Sequence, residues 1–338
     1  MRILSIETSC DETAMALVEA AGGLKNPRFK VLKNIVSSQI ETHRPYGGVV
    51  PLLAKREHIK NLPAVLGGLK LSDDDLEKID FVSVTVGPGL EPALLVGIEF
   101  AKDLAKKLRK KLVGANHLEG HLYSPLLTLK GSQGISFPAI GLLVSGGHTI
   151  LILMKSLASW KKIGETRDDA VGEAFDKVAR MLGLPYPGGP EIQKLSEEGN
   201  PHAIEFPRPM IHHKNFDFSF AGLKTSVYYE TRNKNFTNKQ KADLAASFQE
   251  AAVDVLVKKT VRAVQAFGAK SVVLAGGVAA NKALRTRLGG ECKKLGKKFF
   301  VSDFKYSGDN AAMIAAAAYI NVLKKKTYRV QMQANLNL

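Results

Sequence analysis

Arg2-Ile3-Leu4-Ser5-Ile6-Glu7-Thr8-Ser9-Cys10-Asp11-Glu12-Thr13-Ala14-Met15-Ala16-Leu17-Val18-Glu19 opens the chain with two short apolar runs, residues 2–7 and 14–19, joined by a polar loop over residues 8–13. Apolar runs of strand length on either side of a polar turn read as a β-hairpin. The device returns at residues 139–144 and 149–154, around Ser145-Gly146-Gly147-His148. Each half then repeats a strand, a glycine turn and a helix: residues 81–86, Gly87-Pro88-Gly89 and residues 93–108 in the first, residues 271–275, Gly276-Gly277 and residues 280–288 in the second. The order of elements is duplicated along the chain.

Two similar α/β lobes, each opening with a hairpin whose turn faces a central cleft, describe the actin-like fold of sugar kinases and Hsp70-type ATPases, built from RNase H-like lobes. On this expectation residues 1–116 form the N-terminal lobe and residues 117–338 the C-terminal one, the boundary falling where the buried strand at residues 111–115 ends. The last helix is expected to pack back on the first lobe. Prolines and aromatics over residues 201–220 interrupt any helical period and predict an ordered surface excursion. Helices are predicted at residues 223–232, 239–267 and 309–325, and residues 331–338 are expected to fray.

With 45% hydrophobic and 24% charged residues, the 338-residue chain reads as globular and is long enough for two lobes. No apolar run is long enough to cross a bilayer, and a strand beginning at Arg2 leaves no room for a signal or transit peptide. Two cysteines, Cys10 and Cys292, are too few for a disulfide framework. A cytoplasmic location is expected. Lys and Arg number 48 against 32 Asp and Glu, a net charge of +16 that would draw the protein toward polyanions such as nucleic acid. The lysine-heavy segments at residues 105–111, 155–162 and 293–298 are scattered, and the same balance also suits well solvated helix faces.

His117-Leu118-Glu119-Gly120-His121 places two imidazoles four apart, on one face of a helix or tight turn, where they can share a metal ion. Zinc proteases carry their general base directly after the first histidine; here that residue is Leu118. Asp309 is the favoured third ligand, although an aspartate opening an alanine-rich helix is ordinarily its N-cap. Glu119 lies two residues from each histidine and points off their shared face, which suits a supporting or substrate-facing role. Glycine turns in both halves offer backbone N–H groups to phosphate oxygens and favour a nucleotide-like ligand. Gly276-Gly277 lacks the spacing of a dinucleotide fingerprint, which argues against NAD.

Asn116-His117-Leu118-Glu119-Gly120-His121-Leu122 resembles the signature of the universal tRNA N6-adenosine threonylcarbamoyltransferases, once misnamed glycoprotein endopeptidases. The resemblance runs nearly end to end. It includes residues 6–13, Gly87-Pro88-Gly89 with residues 94–97, residues 143–149, 172–177 and 186–190, Phe216-Asp217-Phe218-Ser219-Phe220-Ala221-Gly222-Leu223-Lys224-Thr225, residues 276–281 and residues 308–312. His148 resembles the bacterial branch, where archaeal and eukaryotic cytosolic members usually carry Asn. Gln193 stands where many relatives have an acidic residue.

The resemblance implies an acyltransferase that moves a threonylcarbamoyl group from threonylcarbamoyl-AMP to N6 of adenosine 37, in the anticodon loop of tRNAs reading codons that begin with A. It implies one divalent ion on His117, His121 and Asp309, with iron favoured and zinc possible. It further implies that Val144, Ser145, Gly146, Gly147, His148, Asp176, Gly189 and Asn281 contact the adenylate. Asp176 could instead be a helix-surface charge, and Asn281 an ordinary helix cap. Asp11 and Glu12 are candidate bases or orienters, with Glu119 as a further catalytic or tRNA-facing candidate. Implied partners are a paralogous actin-like dimerisation subunit, a P-loop ATPase and the synthase that makes threonylcarbamoyl-AMP, with no membrane. The alternative is an actin-like small-molecule kinase or ATPase, which would give the histidine pair no role.

Overall fold

The computed structural model describes residues 1–129 and 134–338. Two five-stranded sheets carry the fold. The first contains β1 (Arg2–Glu7), β2 (Glu12–Ala21), β3 (Arg28–Ser38), β4 (Phe81–Gly87) and β5 (Lys111–Asn116), in the order β3-β2-β1-β4-β5. The second contains β6 (Ala139–Val144), β7 (Thr149–Met154), β8 (Trp160–Glu165), β9 (Ser271–Ala275) and β10 (Lys298–Val301), in the order β10-β9-β6-β7-β8. In each, three antiparallel strands are followed by two parallel ones. The hairpin ladders correspond as well, Glu7 facing Ala14 in one and Val144 facing Thr149 in the other.

The two outer antiparallel strands, β3 and β8, lie outside the sequence pattern. Both are edge strands whose lysines interrupt half-buried apolar residues, as in Arg28-Phe29-Lys30-Val31-Leu32-Lys33. Charge on an edge blocks pairing with another chain, and it also blurs the apolar run by which a strand is read.

Helices α1 (Ile40–His43), α2 (Pro51–Gly68), α3 (Asp73–Glu77), α4 (Glu91–Leu108) and α5 (His117–Tyr123) accompany the first sheet. Helices α6 (Val171–Met181), α7 (Gly188–Ser196), α8 (Ala221–Thr231), α9 (Asn238–Ala266) and α10 (Lys282–Lys294) accompany the second, and α11 (Ala311–Leu323) follows. The chain divides into two compact units, Met1–Gly134 with Ser302–Leu338, and Ile135–Val301. The boundary expected at residue 116 is therefore displaced. All seven residues of α5 are buried, and the helix packs against α11 and β5, which keeps it in the first unit.

Helix α11 lies on β1, β2, β4 and β5. Its alanines are wholly buried and let the backbone come close to the sheet, near enough for Ser5 Oγ to donate to Ala311 O at 2.6 Å. The segment expected to fray is docked instead. Gln333 N donates to Val86 O at 2.8 Å, and Val330, Met332 and Leu336 pack on the first unit's core. Residues 201–220 form turns, as expected of an excursion, but they are pinned from within: Phe206, Phe218 and Phe220 are buried in the second unit's core. No helix among the described residues is long and apolar enough to cross a membrane.

Candidate functional site

Asn116 ends β5 in an extended conformation, and its Oδ1 accepts from Leu118 N at 2.8 Å and Glu119 N at 3.2 Å, capping α5. The helix then carries His117 and His121 one turn apart, their rings 4.6 Å between centroids at 82°. Asp309 Oδ1 lies 3.1 Å from His121 Nε2 and 3.5 Å from His117 Nε2. One ligand atom from each of the three residues falls within 4.8 Å of the others, a grouping that could hold a metal ion. The cap of α11 belongs to Asn310, whose Oδ1 accepts from Met313 N at 3.0 Å. Asp309 thus escapes the ordinary role that its position in the sequence would give it.

Glu7, which the sequence reading passed over, braces this group. Its fully buried carboxylate accepts from Thr85 Oγ1 at 2.6 Å and from Ser9 N, and its Oε2 lies 3.1 Å from His117 Nδ1. Ser9 Oγ stands 3.0 Å from the same nitrogen. With Nδ1 so engaged, Nε2 is the ring atom turned to Asp309. Burial pushes the His117 imidazole down, but the carboxylates of Asp309 and Glu7 outweigh it and raise the pKa to about 9. Burial likewise pushes the Glu7 carboxyl up, and the His117 charge and hydrogen bond overcome it, holding Glu7 below its usual value.

His121 supplies the test of fit. Its ring is fully buried, and although Asp309 Oδ1 lies 3.1 Å from Nε2, neither ring nitrogen makes a hydrogen bond. Buried ring nitrogens are rarely left so, and a divalent ion on Nε2 accounts for that nitrogen. Two imidazoles and a carboxylate suit such an ion chemically.

Of the other first-unit candidates, Asp11 is buried in the first hairpin turn and Glu12 begins β2. Burial raises the Glu12 carboxyl well above its usual value, and the charges of Asp309 and Asp11 add to the effect. Cys10 is pushed up too, by burial first and then by Asp11, which disfavours its thiolate. Glu119, the further catalytic or tRNA-facing candidate, lies behind the histidines, as a supporting role would have it. Its carboxylate is wholly buried, accepting from Asn321 Nδ2 at 2.6 Å and Lys326 Nζ at 2.9 Å. It ties α5 to the end of α11.

In the second unit the turn between β6 and β7 closes with Ser145 N donating to His148 O at 2.8 Å and His148 N to Ser145 Oγ at 3.1 Å. Gly146 and Gly147 are exposed, and a Cβ on either would meet nothing within 4 Å. Underneath, the packing is tight: a Cβ on Gly172 of α6 would stand 2.6 Å from Ser145 O. Gly276, at φ 91°, passes so close to Val144 that no side chain fits. Asp176, also on α6, accepts from Gly188 N at 2.7 Å at the start of α7, where Gly189 faces open space. Gln193 of α7 accepts from Lys282 N at 2.7 Å, a contact needing only an acceptor, which an amide supplies as well as a carboxylate. Asn281 takes the cap role, its Oδ1 accepting from Leu284 N at 2.9 Å while Nδ2 donates to Gln249 Oε1 at 2.7 Å. The expected adenylate residues of this unit thus lie on one hairpin turn, in the middle of α6 and at the starts of α7 and α10.

Over residues 30–316 the chain matches the family model for tRNA N6-adenosine threonylcarbamoyltransferase. It is 47% identical over 320 residues to the protein of that name from Thermosipho africanus, covering 94% of both chains. To its counterpart from Clostridium botulinum strain Kyoto it is 46% identical, across all of this chain and 97% of the relative. The chain belongs to the tRNA N6-adenosine threonylcarbamoyltransferase family. Membership places it among transferases of tRNA modification and does not favour the kinase alternative. Solved structures agree on the actin-like α/β fold. Full-length HypF in its phosphate- and nucleotide-bound form superposes with a TM-score of 0.58 at 14% identity, over 98% of this chain and 47% of that one. The activator of 2-hydroxyisocaproyl-CoA dehydratase from Clostridium difficile, with bound ADPNP, gives 0.52 at 13% identity over 96% of each. At such identities the likeness concerns the fold alone.

Proposed function

We propose that this transferase moves the threonylcarbamoyl group of threonylcarbamoyl-AMP to N6 of adenosine 37 in tRNAs that read codons beginning with A. The observation that carries the reading is the His117, His121 and Asp309 group braced by Glu7, in a chain 46–47% identical to proteins named for this activity. In the step, the N6 amine attacks the carbamoyl carbon, the new C–N bond forms, and the C–O bond to phosphate breaks with its electron pair leaving on AMP. The proton shed by N6 passes to a carboxylate. An exocyclic adenine amine is a poor nucleophile, so positioning and stabilisation of developing negative charge must supply the rate.

His117, His121 and Asp309 would hold a divalent ion, which supplies Lewis acidity and a template for the threonylcarbamoyl moiety. Glu7 and Ser9 fix the His117 tautomer so that Nε2 remains the ligand atom. Iron is favoured and zinc fits the same donors. The exposed, side-chain-free turn at Gly146 and Gly147 would take the phosphate of the departing AMP, Asp176 the ribose hydroxyls, and Gly189 leaves room for the nucleoside. Glu12, whose carboxylate is made more basic by burial and by the charges of Asp309 and Asp11, is the acceptor we assign for the N6 proton, with Asp11 orienting.

The net charge of +16 supplies phosphate contacts for tRNA, and affinity should fall steeply with salt. A paralogous actin-like subunit, a P-loop ATPase and an upstream threonylcarbamoyl-AMP synthase are the proposed partners, in the cytoplasm. Incubation of tRNA with threonine, bicarbonate, ATP and those partners, followed by mass spectrometry of the nucleosides, tests the reading. Threonylcarbamoyladenosine should form only when this chain is present, and its formation without the chain would refute the assignment.

A further inference from the structure

We infer that residues 326–337 act as a brace that sets the geometry of the His117, His121 and Asp309 centre, so that docking of this segment and metal affinity are coupled. The inference rests on the metal reading above and adds a positioning role for a segment no motif marks.

Two routes run from the segment to the ligands. Along the first, Asn116 Nδ2 donates to Asn337 O at 3.1 Å while its Oδ1 caps α5 through Leu118 N and Glu119 N. A single amide therefore fixes both the end of the segment and the start of the helix that bears the two histidines. Along the second, Gly89 N donates to Ala334 O at 3.2 Å, the adjacent Leu90 N donates to Ser9 O at 2.8 Å, and Ser9 Oγ lies 3.0 Å from His117 Nδ1. The segment is further fastened by Gln333 N to Val86 O at 2.8 Å, and by Lys326 Nζ to the buried Glu119 on α5 at 2.9 Å.

Its bed is shaped to receive it. A Cβ on Gly87 would collide with Gln333 O, and one on Gly114 would stand 3.1 Å from Tyr328 O, so both crossing points are glycines. The ties to Asn116 and Gly89 are made by backbone carbonyls, so they specify the path of the segment and not its side chains. Groups that orient metal ligands from behind typically change affinity 10–100-fold when removed. Coupling is reciprocal: if the docked segment favours the ion, the ion must favour docking.

The test uses the full-length chain, stripped of metal and titrated with Co²⁺, whose visible spectrum reports ligand geometry. Asn116→Asp keeps a good N-cap and removes the amide that donates to Asn337 O and to the Tyr328 hydroxyl, both in the segment. A carboxylate beside the centre would by itself tighten cation binding, so a loss reports the segment. Gly87→Ala displaces Gln333 without altering charge. Both variants should bind Co²⁺ about tenfold or more weakly than the parent, with a changed spectrum. In the parent, Co²⁺ should slow amide hydrogen exchange at residues 333–337. Unchanged affinity and spectrum in a folded Asn116→Asp protein, or exchange at these residues indifferent to Co²⁺, would overturn the brace. Should Gly87→Ala not fold, the other two measurements decide. If the parent bound no Co²⁺ at all, the metal reading would fall and the brace with it, whereas loss of tRNA modification alone would touch neither.

Discussion

The turns of the two hairpins occupy equivalent places in equivalent sheets and have opposite contents. Residues 8–11, between β1 and β2, are largely buried, flanked by the carboxylates of Glu7 and Glu12 and linked through Ser9 to an imidazole. Residues 145–148, between β6 and β7, leave two glycines exposed with nothing above them. One turn gathers side-chain anions and imidazoles, suited to a cation. The other strips side chains away and leaves N–H groups, suited to an anion. The duplicated framework fixes where a turn stands, and the residues in it fix the sign of what it can hold.

The comparison breaks first at the metal ligands. Asp309→Ala or His117→Ala should lower threonylcarbamoyl transfer by about 10³, since several kcal/mol of charge stabilisation go with the ion. Circular dichroism should be unchanged, and near-normal turnover in either variant would dissolve the contrast between the turns. Next come the glycines. Gly146→Val has space around it, so it should fold normally and weaken adenylate binding about 10–100-fold. Gly172→Val, with Ser145 O only 2.6 Å from its first carbon, should instead unfold the second unit at lower temperature. Equal effects of the two on the melting temperature would show that the open side of the turn is not open.

Smaller effects come from pH, and they have opposite signs in the two units. In the metal-free first unit His117 titrates near 9 against an ordinary 6.5, so the folded state binds the extra proton. The stability it confers is complete below 6.5 and is lost as pH rises through about 9. Glu7→Gln should shrink that loss in calorimetric melts. In the second unit, burial chiefly lowers the pKa of Lys259 to about 8 from 10.5, with Arg262 adding repulsion. The unfolded chain then binds more protons between these values, and stability should rise with pH across the window. Lys259→Met should flatten the rise; a parent profile flat from 8 to 10.5 would show that the lysine is solvated.

What could be read from residues alone follows from how each feature is encoded. The central hairpins stood out because their apolar runs are bounded by polar turns, whereas β3 and β8 were hidden by the lysines that protect their edges. His117 and His121 were visible through their spacing. Asp309 needed the order of the family's motifs, because only the structure shows that its neighbour Asn310 does the capping. Glu7 was invisible as a partner of His117: a glutamate ending a buried strand looks like the first residue of a polar turn. For Glu119 the spacing showed that it leaves the histidines' face, but not that Asn321 and Lys326 receive it. The closing segment left no trace, since its anchoring groups are mostly backbone atoms.

The first unit is discontinuous, built from residues 1–134 and 302–338, while the second is one unbroken stretch. During synthesis the second unit can therefore complete its core before the first possesses Asp309, α11 or its closing segment. The group of His117, His121 and Asp309 is thus brought together only after the residues of the second unit have been made. A polypeptide stopped short of Asp309 would carry the glycine turn but only His117 and His121 of the three candidate ligands.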